Sequence, residues 1–215
     1  IPEGVTSIGF FAFLSCDSLE SISLPSSLET ISYKAFDSCE SLESVTIPAG
    51  VSSIETSLFA DCISLNSVIF SEGVETLGSS IFSGCSSMAT VHIPASVTSV
   101  SATTFDGTSI LNSVTVDVLN ADFAAVDGVL FTKDGTELVY FPVAKSGSYI
   151  LPSGVTSFAS DSFTNSTAVT SFTVNEDILS LGAADFNGCD AMTEILVDAN
   201  NPSFSSVGGL LYQSN

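Results

Sequence analysis

Five cysteines are the first candidates for chemistry in this chain, since a thiolate can attack an electrophile, close a disulfide or bind a metal. They fall at one position of a 23-residue spacing: Cys16, Cys39, Cys62, Cys85 and, in a later repeat, Cys189. Two other repeats have Thr108 and Ser166 at this position, which indicates a small buried group that hydrogen-bonds a loop. Side chains that stack in parallel favour free thiols over disulfides or a tetrahedral metal site.

The single histidine has no neighbours that could activate it. His92 lies between Val91 and Ile93, at an exposed position of a predicted strand. Its predicted neighbours in the adjacent repeats, Ile69 and Thr115, supply neither a base nor an activated nucleophile. The sequence therefore predicts no catalytic residues, and we expect a protein that is not an enzyme.

The carboxylates are numerous but scattered among predicted turns and strand ends. The densest group is Asp117, Asn120 and Asp122, with Asp127 nearby, and it lacks the compact loop whose oxygens converge on Ca²⁺. We therefore expect a polar loop there, and we predict neither a metal nor another cofactor. Because no pair of acids is singled out for glycoside hydrolysis, an undetected hydrolase remains only a minor alternative.

Charge and hydropathy disfavour several classes of partner. The chain of 215 residues has a net charge of −21 and only three Lys or Arg residues, whereas nucleic acids and anionic membranes require clustered cationic side chains. The sequence has no apolar run that is long enough to span a bilayer. We therefore expect no nucleic-acid partner and no membrane insertion.

The cysteine spacing belongs to a repeat that extends along the whole chain. Phenylalanines recur with the same 23-residue spacing, at Phe13, Phe36, Phe59, Phe82 and Phe105. Such a period is typical of a solenoid, in which each repeat, here called a rung, buries its apolar face only against its neighbours. We therefore predict a single solenoid over residues 1–215, with regular rungs at 1–116 and 152–197.

Residues 117–151 form an expanded rung with twelve extra residues. Its segments Val129–Phe131 and Leu138–Phe141 flank a glycine-containing turn, a pattern typical of a β-hairpin. Because these segments are apolar, we expect one face of the hairpin to fold back on the solenoid, and we expect the hairpin to form a lateral projection. The pattern begins again at Asp198, so we assign residues 198–215 to a truncated second copy. Because both ends of the chain fall inside repeats, we expect a piece of a longer protein, without its targeting signals.

Each rung contains a segment in which apolar residues alternate with Ser or Thr before a proline, as in Val45-Thr46-Ile47-Pro48. This pattern predicts a strand with one buried face, closed by a residue that cannot continue the ladder. A shorter β-prone segment follows, and then an Ala-Phe step for which we expect a short helical or 3₁₀ turn. The predicted parallel strands are Leu19–Leu24, Leu42–Ile47, Leu65–Phe70, Met88–Ile93, Leu111–Val116, Val169–Val174 and Met192–Val197.

Over essentially its whole length, the chain resembles the BspA-type leucine-rich repeat family. The resemblance lies in a combined pattern, in which L-x-x-I-x-I-P is followed by V-x-x-I-x-x-x-A-F-x-x-C. The V-D-G-V-L-F segment at 126–131 also resembles inserts between the rungs of that family. The resemblance implies a right-handed, curved leucine-rich repeat solenoid with a parallel sheet on its concave side and one inserted β-hairpin. It also implies an origin in large cell-surface or secreted microbial proteins, often linked to adhesion.

Two columns of residues are predicted to face outward from the concave sheet, and both consist mainly of Ser and Thr. Small hydroxyl residues either simply tolerate an exposed ladder or contact a glycan or protein partner. The candidate contact residues, two of them from the hairpin, are Thr46, Ile69, Thr90, His92, Thr115, Thr173, Lys133 and Tyr140.

These features lead us to expect a non-enzymatic binding or adhesion segment of an extracellular or cell-surface protein. Its expected partner is a protein or glycan on a host or neighbouring cell. The alternative is a structural spacer or assembly unit of a large extracellular protein. The sequence leaves the oligomeric state open.

Overall fold

The computed structural model describes residues 1–101, 103–182 and 185–214. It shows a parallel β-solenoid of about eight turns, built from short strands that are joined by tight turns. The solenoid predicted from the repeat period is therefore confirmed. The predicted helical or 3₁₀ turns are not seen, because the residues that the structure describes include no helix.

The longer strand of each rung pairs in parallel with its counterpart in a neighbouring rung. These strands are β3 (Ser44–Ile47), β5 (Ser67–Phe70), β7 (Thr90–Ile93), β9 (Ser113–Val116), β13 (Gly147–Ile150), β15 (Val169–Val174) and β16 (Glu194–Val197). β3 pairs with β5, β7 pairs with β9, and β15 lies between β13 and β16. In β3, Val45 and Ile47 are buried while Ser44 and Thr46 are exposed. The parallel pairing predicted for the segments that contain β3, β5, β7, β9, β15 and β16 is confirmed, and so is the inward orientation of Val45 and Val68. β13 was not among the predicted strands.

Two parts of the predicted ladder differ from the expectation. The segment 19–24 forms only an isolated bridge, between Ser21 and Ser44, and its apolar side chains are only half-buried. Within the described ranges, no ladder joins β5 to β7, although both strands keep the alternation of buried and outward side chains. The bulky outward side chains of Ile69 and His92 line one hollow at this break. The long-strand sheet is therefore divided into separate pieces.

The shorter strands build a second set of parallel ladders. They are β1 (Ser7–Ile8), β2 (Thr30–Ile31), β4 (Ser53–Ile54), β6 (Thr76–Leu77), β8 (Ser99–Val100) and β14 (Ser157–Phe158). β1 pairs with β2, whereas β4, β6 and β8 form one ladder. Ile54 and Leu77 show the shared pattern, since each is buried and directly follows a more exposed Ser or Thr.

The corner of each rung is a series of β-turns. In the second rung, Cys39 N donates to Phe36 O at 3.3 Å, an i→i+3 bond, but Lys34 and Ser38 have φ angles of 53° and 60°. This left-handed conformation interrupts a helix. An amide of the same corner bonds the next rung instead, as Phe36 N does to Leu58 O at 3.2 Å. The corner hydrogen bonds thus tie the rungs together, which explains why the expected helical turn is absent from this corner.

The phenylalanine column forms the centre of the core. The ring centroids of Phe36 and Phe59 lie 5.7 Å apart, and those of Phe59 and Phe82 lie 6.3 Å apart, with interplanar angles of 18° and 11°. These three side chains are fully buried. Phe13 and Phe105 extend the stack on either side. Stacked aromatic rings of this kind add to the stabilisation that burial alone provides.

The expanded rung contains three antiparallel strands, β10 (Phe123–Val126), β11 (Val129–Thr132) and β12 (Glu137–Tyr140). β11 pairs with both β10 and β12, so the predicted hairpin is present and a third strand precedes it. β12 also pairs in parallel with β14. The hairpin is therefore not a lateral projection, because its second strand occupies a short-strand position in the solenoid wall.

The three strands β10–β12, which we call the dividing sheet, separate two clusters of core residues. Leu130 and Tyr140 belong to the cluster on one side, whereas Val129, Phe131 and Phe141 belong to the cluster on the other side. Each of the five is at most 3% exposed. Alternation along β11 points its neighbouring side chains to opposite faces, so one sheet can serve both clusters. In β12 the pairing with β11 shifts its register, and Val139 and Tyr140 both belong to the first cluster.

The aromatic column changes its register at the dividing sheet. Tyr140 continues the column from Phe105, with 4.7 Å between ring centroids. The next residue, Phe141, starts the column on the far side and stacks on Phe163 at 4.4 Å. Near the end of the described residues, β17 (Phe204–Val207) and β18 (Leu210–Gln213) form a second antiparallel pair.

Candidate binding surface

Five of the predicted contact residues lie together on the outward face of the first long strands. Thr46 is on β3, Ile69 on β5, Thr90 and His92 on β7, and Thr115 on β9. All five are exposed, and Ile69 is 58% exposed despite its apolar side chain. We call these five residues the neutral strip, since none of them carries a carboxylate or an ammonium group.

Two shallow hollows lie along the neutral strip. The larger, of about 630 Å³, lies over β3 and β5 and is lined by Thr46 and Ile69 together with several serines. The smaller, of about 180 Å³, lies at the break between β5 and β7 and is lined by Ile69, Thr90 and His92. Ile69 lines both hollows, so a ligand on the strip would contact this side chain from either of them.

The imidazole of His92 is held by its neighbour in the next rung. Its Nδ1 lies 3.0 Å from Thr115 Oγ1, and the Thr115 hydroxyl donates to Val91 O at 3.4 Å. The contact with Thr115 fixes the orientation of the His92 ring across the boundary between two rungs. Its other ring nitrogen belongs to an exposed side chain and can hydrogen-bond a ligand.

The strip is an uncharged region of a strongly acidic protein. The outward positions of β3, β5, β7 and β9 are occupied only by Ser, Thr, Ile and His, although the net charge of the chain is −21. Glu3, at the border of the larger hollow, accepts hydrogen bonds from Ser26 N and Ser26 Oγ at 3.1 and 3.2 Å. The bond from the Ser26 backbone is the main cause that lowers the pKa of Glu3. This carboxylate is therefore engaged with the adjacent rung.

The other three predicted contact residues lie elsewhere. Thr173 is on β15, in a separate sheet, and is half-buried. Lys133 is exposed in the turn between β11 and β12, where its Nζ donates to Val118 O at 3.2 Å. Tyr140 is 3% exposed and packs against Phe105. Its assignment as a contact residue is therefore wrong, because β12 is a wall strand whose aromatic side chain fills the core.

Ile150 belongs to an outward column but was not among the predicted contact residues. It is aligned with Thr173, which is aligned with Leu196, and it is 73% exposed. A sequence signal for it exists, because Thr46 and His92 each stand two residues before a proline and Ile150 stands two before Pro152. The extra length of the expanded rung concealed this correspondence.

The cysteine column has the predicted structural role. The five cysteines are free, and three of them are fully buried. The thiol of one rung donates to a backbone oxygen of the preceding rung: Cys39 to Phe13 at 3.2 Å, Cys62 to Phe36 at 3.1 Å and Cys85 to Phe59 at 3.2 Å. Ser166 Oγ makes the equivalent bond to Phe141 O at 3.3 Å. The predicted hydrogen bond from a small buried group to a loop is confirmed.

Alkaline pH is expected to lower the free energy of unfolding through the thiols of Cys85 and Cys189. Burial raises the pKa of Cys85 to about 12 and that of Cys189 to about 11, whereas an unfolded thiol has a pKa of about 8.5. A group whose pKa is raised on folding contributes its full stability below the unfolded pKa, and this contribution is lost as the pH rises towards the folded pKa. Urea unfolding at pH 7.5 and at pH 10 should therefore show lower stability at pH 10.

Cys85→Ser provides the control, since a hydroxyl does not titrate in this range and can replace the thiol as a donor. Between these pH values, the free energy of unfolding should fall less steeply with pH in the variant than in the parent. The two slopes should differ by up to about 1.4 kcal/mol per pH unit. An identical slope in the variant and the parent would show that Cys85 does not contribute to the pH dependence.

The densest acidic cluster of the sequence is organised by a buried amide. Asn120 Nδ2 donates to Pro94 O and Val97 O, both at 2.9 Å, and its Oδ1 accepts from the amides of Asp122 and Phe123.

Across residues 1–101, 103–182 and 185–214, no group of three or more His, Cys, Asp or Glu side chains is placed to hold a metal ion. Nor do these residues include a helix with the length and hydropathy needed to cross a membrane.

Comparison with known proteins supports the repeat assignment. A family model described as the BspA type leucine rich repeat region matches in six copies, over residues 1–112 and 140–208. The unmatched residues between these ranges include β10 and β11 of the dividing sheet. No curated protein sequence matched the chain.

Solved structures share the fold over most of the chain. The pneumococcal vaccine antigen PcpA is 29% identical, with a TM-score of 0.74, over 89% of this chain and 56% of that one. A leucine rich cell surface protein from Faecalibacterium prausnitzii is 28% identical, with a TM-score of 0.75, over 91% of this chain and 52% of that one. A leucine-rich repeat protein from Eubacterium ventriosum is 22% identical and shows the fold alone, with a TM-score of 0.73 over 91% of this chain and 58% of that one.

The chain thus spans between 52% and 58% of the length of these three proteins. The six matched copies of the family model agree with the regular rungs and with the stacked columns of cysteines and phenylalanines. On this basis, the chain belongs to the BspA-type leucine-rich repeat family.

Proposed function

We propose that this chain is a non-catalytic binding segment of a surface-displayed or secreted protein, and that it acts in adhesion through the neutral strip. The observation that carries the proposal is the convergence of Thr46, Ile69, Thr90, His92 and Thr115 on one exposed face with two adjoining hollows. A hydroxyl array with one exposed apolar side chain and one fixed imidazole combines hydrogen-bonding groups with a central hydrophobic contact.

The composition of the strip favours an uncharged partner. Anionic partners such as nucleic acids would be repelled by a protein with a net charge of −21. Within each of the pairs β3–β5 and β7–β9, the strands lie about 4.8 Å apart. The outward hydroxyls of each pair are therefore closely and regularly spaced, which suits a glycan rich in hydroxyl groups. A protein partner would find only Ile69 as a large apolar contact on the strip, and apolar and aromatic anchors supply most of the binding energy in protein interfaces. We therefore propose a neutral glycan as the first partner to test.

The names of two similar structures support a location outside the cell. One is called a vaccine antigen and another a cell surface protein. Because this chain spans little more than half of either protein, the location and the adhesive role of the whole protein are proposals.

Binding of the labelled chain to an array of neutral glycans is the direct test, and Ile69→Lys is the informative variant. The change places a flexible cationic side chain at the point where the two hollows adjoin. Because a central contact residue contributes a large share of binding energy, we expect affinity for the captured glycan to fall at least about tenfold. Isothermal titration calorimetry with the purified glycan measures the affinity of the parent and of the variant.

Ile150→Lys is the matched control. Ile150 is 73% exposed and occupies the corresponding column position, but it lies on β13 in a different sheet. We expect this variant to bind as the parent does. An equal loss of glycan affinity in both variants would show that the added charge, and not its position on the neutral strip, weakens binding. Binding to cultured cells without any glycan signal would favour a protein partner, and the absence of both would favour the spacer function.

A further inference from the structure

One peptide group at the corner of the third rung joins the rungs on either side of it. The carbonyl of Ala60 accepts a hydrogen bond from Ser38 N at 2.7 Å, and the amide of Asp61 donates to Ser83 O at 2.6 Å. This carbonyl and this amide belong to the same peptide group, whose two hydrogen bonds therefore point to opposite neighbours. The residue that carries the amide has a positive φ at the regular corners, as Asp61 does with 57°.

The corner of the expanded rung lacks this bridge. Val143 occupies the position of Asp61, two residues after the column phenylalanine, but valine is β-branched and its φ is not positive. Among the described residues, the peptide group between Pro142 and Val143 bonds neither neighbouring rung. Gly107 N in the preceding rung and Thr164 O in the following rung are left without a backbone partner.

The missing bridge leaves a polar notch between the corners of two complete rungs, in the middle of the chain. The notch has a volume of about 310 Å³ and is lined by residues 106–109 on one side, by residues 164, 165 and 167 on the other, and by Val143. At regular corners the donor amide points to the following rung and the acceptor carbonyl points to the preceding one. Gly107 N–H and Thr164 C=O therefore both point into the notch.

A buried hydroxyl beside the notch also lacks a partner. Tyr140 is 3% exposed, and its hydroxyl makes no hydrogen bond among the described residues. Burial raises the pKa of Tyr140, and the nearby Thr108 hydroxyl and Val143 backbone, which line the notch, oppose this rise only in part. Buried polar groups without partners cost free energy. The notch is thus bordered by an amide, a carbonyl and a hydroxyl whose hydrogen-bonding capacity is unused.

The charge beside the notch favours a cationic ligand. Asp106 is half-buried, and neither of the ion pairs found among the described residues includes it. Burial raises the pKa of Asp106, and repulsion from Asp161 adds to this rise. A ligand with an ammonium group would compensate both carboxylates, since an opposite charge nearby favours the ionised form.

We propose that this notch binds a lysine-glycine segment of a partner polypeptide, whose peptide group replaces the missing bridge. The lysine carbonyl accepts from Gly107 N, and the glycine amide donates to Thr164 O. Glycine suits the position after this peptide group, because it adopts a positive φ without strain. The lysine then lies in the column of Asp106 and Thr164, next to the unpaired carboxylate. None of the lining residues belongs to a long strand, so the proposal is independent of the neutral strip.

The probe is the blocked peptide acetyl-Ser-Lys-Gly-Ser-amide, titrated into the full ¹⁵N-labelled chain and followed by NMR. We expect the Gly107 amide signal to shift saturably with a Kd of about 1 mM or lower. Hydrogen exchange at Gly107 should slow on binding, because its N–H acquires a partner. The Ser38 amide is the internal control, since it already donates to Ala60 O and should keep its shift.

Matched peptides separate the two parts of the contact. Replacing glycine by N-methylglycine removes the amide proton and should weaken binding at least about fivefold, because Thr164 O then stays unpaired. Replacing lysine by glutamate should weaken binding at least about tenfold, since a charge-assisted hydrogen bond becomes a repulsion. Replacing either serine by alanine should change the affinity by less than about twofold.

Variants of the chain locate the charged contact. Asp106→Asn keeps the shape of the side chain and should weaken binding of the lysine peptide at least about tenfold. The same variant should bind a peptide with alanine in place of lysine as the parent chain does. Asp61→Asn makes the same change on an exposed residue at an intact corner and should leave the affinity for the lysine peptide within about twofold.

Several results would overturn the proposal. They are the absence of a saturable Gly107 shift at about 10 mM peptide, equal affinity of the glycine and N-methylglycine peptides, or shifts confined to other corners. N-acetylglucosamine carries a secondary amide without a positive charge and tests a competing occupant. If this sugar shifted the Gly107 amide at lower concentration than the lysine peptide does, the polypeptide assignment would be wrong and the notch would be a glycan site.

Discussion

Phe59→Ala is expected to destabilise the protein by about 3–5 kcal/mol, because truncating a fully buried phenylalanine leaves a cavity that the surrounding structure fills only in part. Phe59 is 0% exposed and stacks on Phe36 and Phe82 at once. The loss therefore affects two rung interfaces and not one. In a linear array, where stability is a sum of rung and nearest-neighbour terms, such a weakened interface can separate two cooperative units.

Urea unfolding followed by circular dichroism measures the effect, and a second transition in the variant would reveal the separation. Phe10→Ala is the matched control, because Phe10 is 70% exposed. Its free energy of unfolding should change by less than about 0.5 kcal/mol. If both variants unfolded like the parent, the phenylalanine column would not be the centre of the core.

Asn175→Ala is expected to cost about 3–4 kcal/mol, since one side chain satisfies four backbone groups. Its Nδ2 donates to Pro152 O at 2.6 Å and Val155 O at 3.0 Å, and its Oδ1 accepts from the amides of Asp177 and Ile178, both at 3.0 Å. Each lost hydrogen bond costs about 1 kcal/mol, and more when the group that remains is buried. Asn175 is only 7% exposed, so water does not readily replace the amide.

The unfolding free energy of Asn175→Ala is to be compared with that of Asn200→Ala, whose side chain is exposed on a similar turn. The control should lie within about 0.5 kcal/mol of the parent. Equal stability of the two variants would mean that the four hydrogen bonds of the Asn175 side chain contribute no more than an ordinary surface contact.

The regular spacing of the phenylalanines and cysteines was sufficient to predict the solenoid, because stacking similar rungs is the way in which each rung can bury its apolar face. The same spacing placed Val45 and Val68 inside and Thr46 and Thr115 outside, since strand alternation fixes the face of every residue once the register is known. The neutral strip follows from this alternation, and all of its members were identified from the sequence.

What the sequence did not reveal depends on contacts between distant segments. Tyr140 looked like an exposed hairpin residue because the pairing of β12 with β14 joins segments whose alignment no repeat specifies. Asn120 looked like part of a polar loop, but its four hydrogen bonds connect it with the preceding rung and its own turn. The break between β5 and β7 is likewise unmarked in the sequence, since Ile69 and His92 keep the regular alternation.

The dividing sheet has a consequence for how such chains can change in length. Because it presents one set of side chains to each neighbouring cluster, the rungs on its two sides need not match each other. The stretch from Phe123 to Phe204, where the next such strand pair starts, begins and ends with the same strand pairing. Gene duplication of that stretch would add a unit that finds a compatible surface at both boundaries, so the array can grow by whole modules while each module's interior diverges independently.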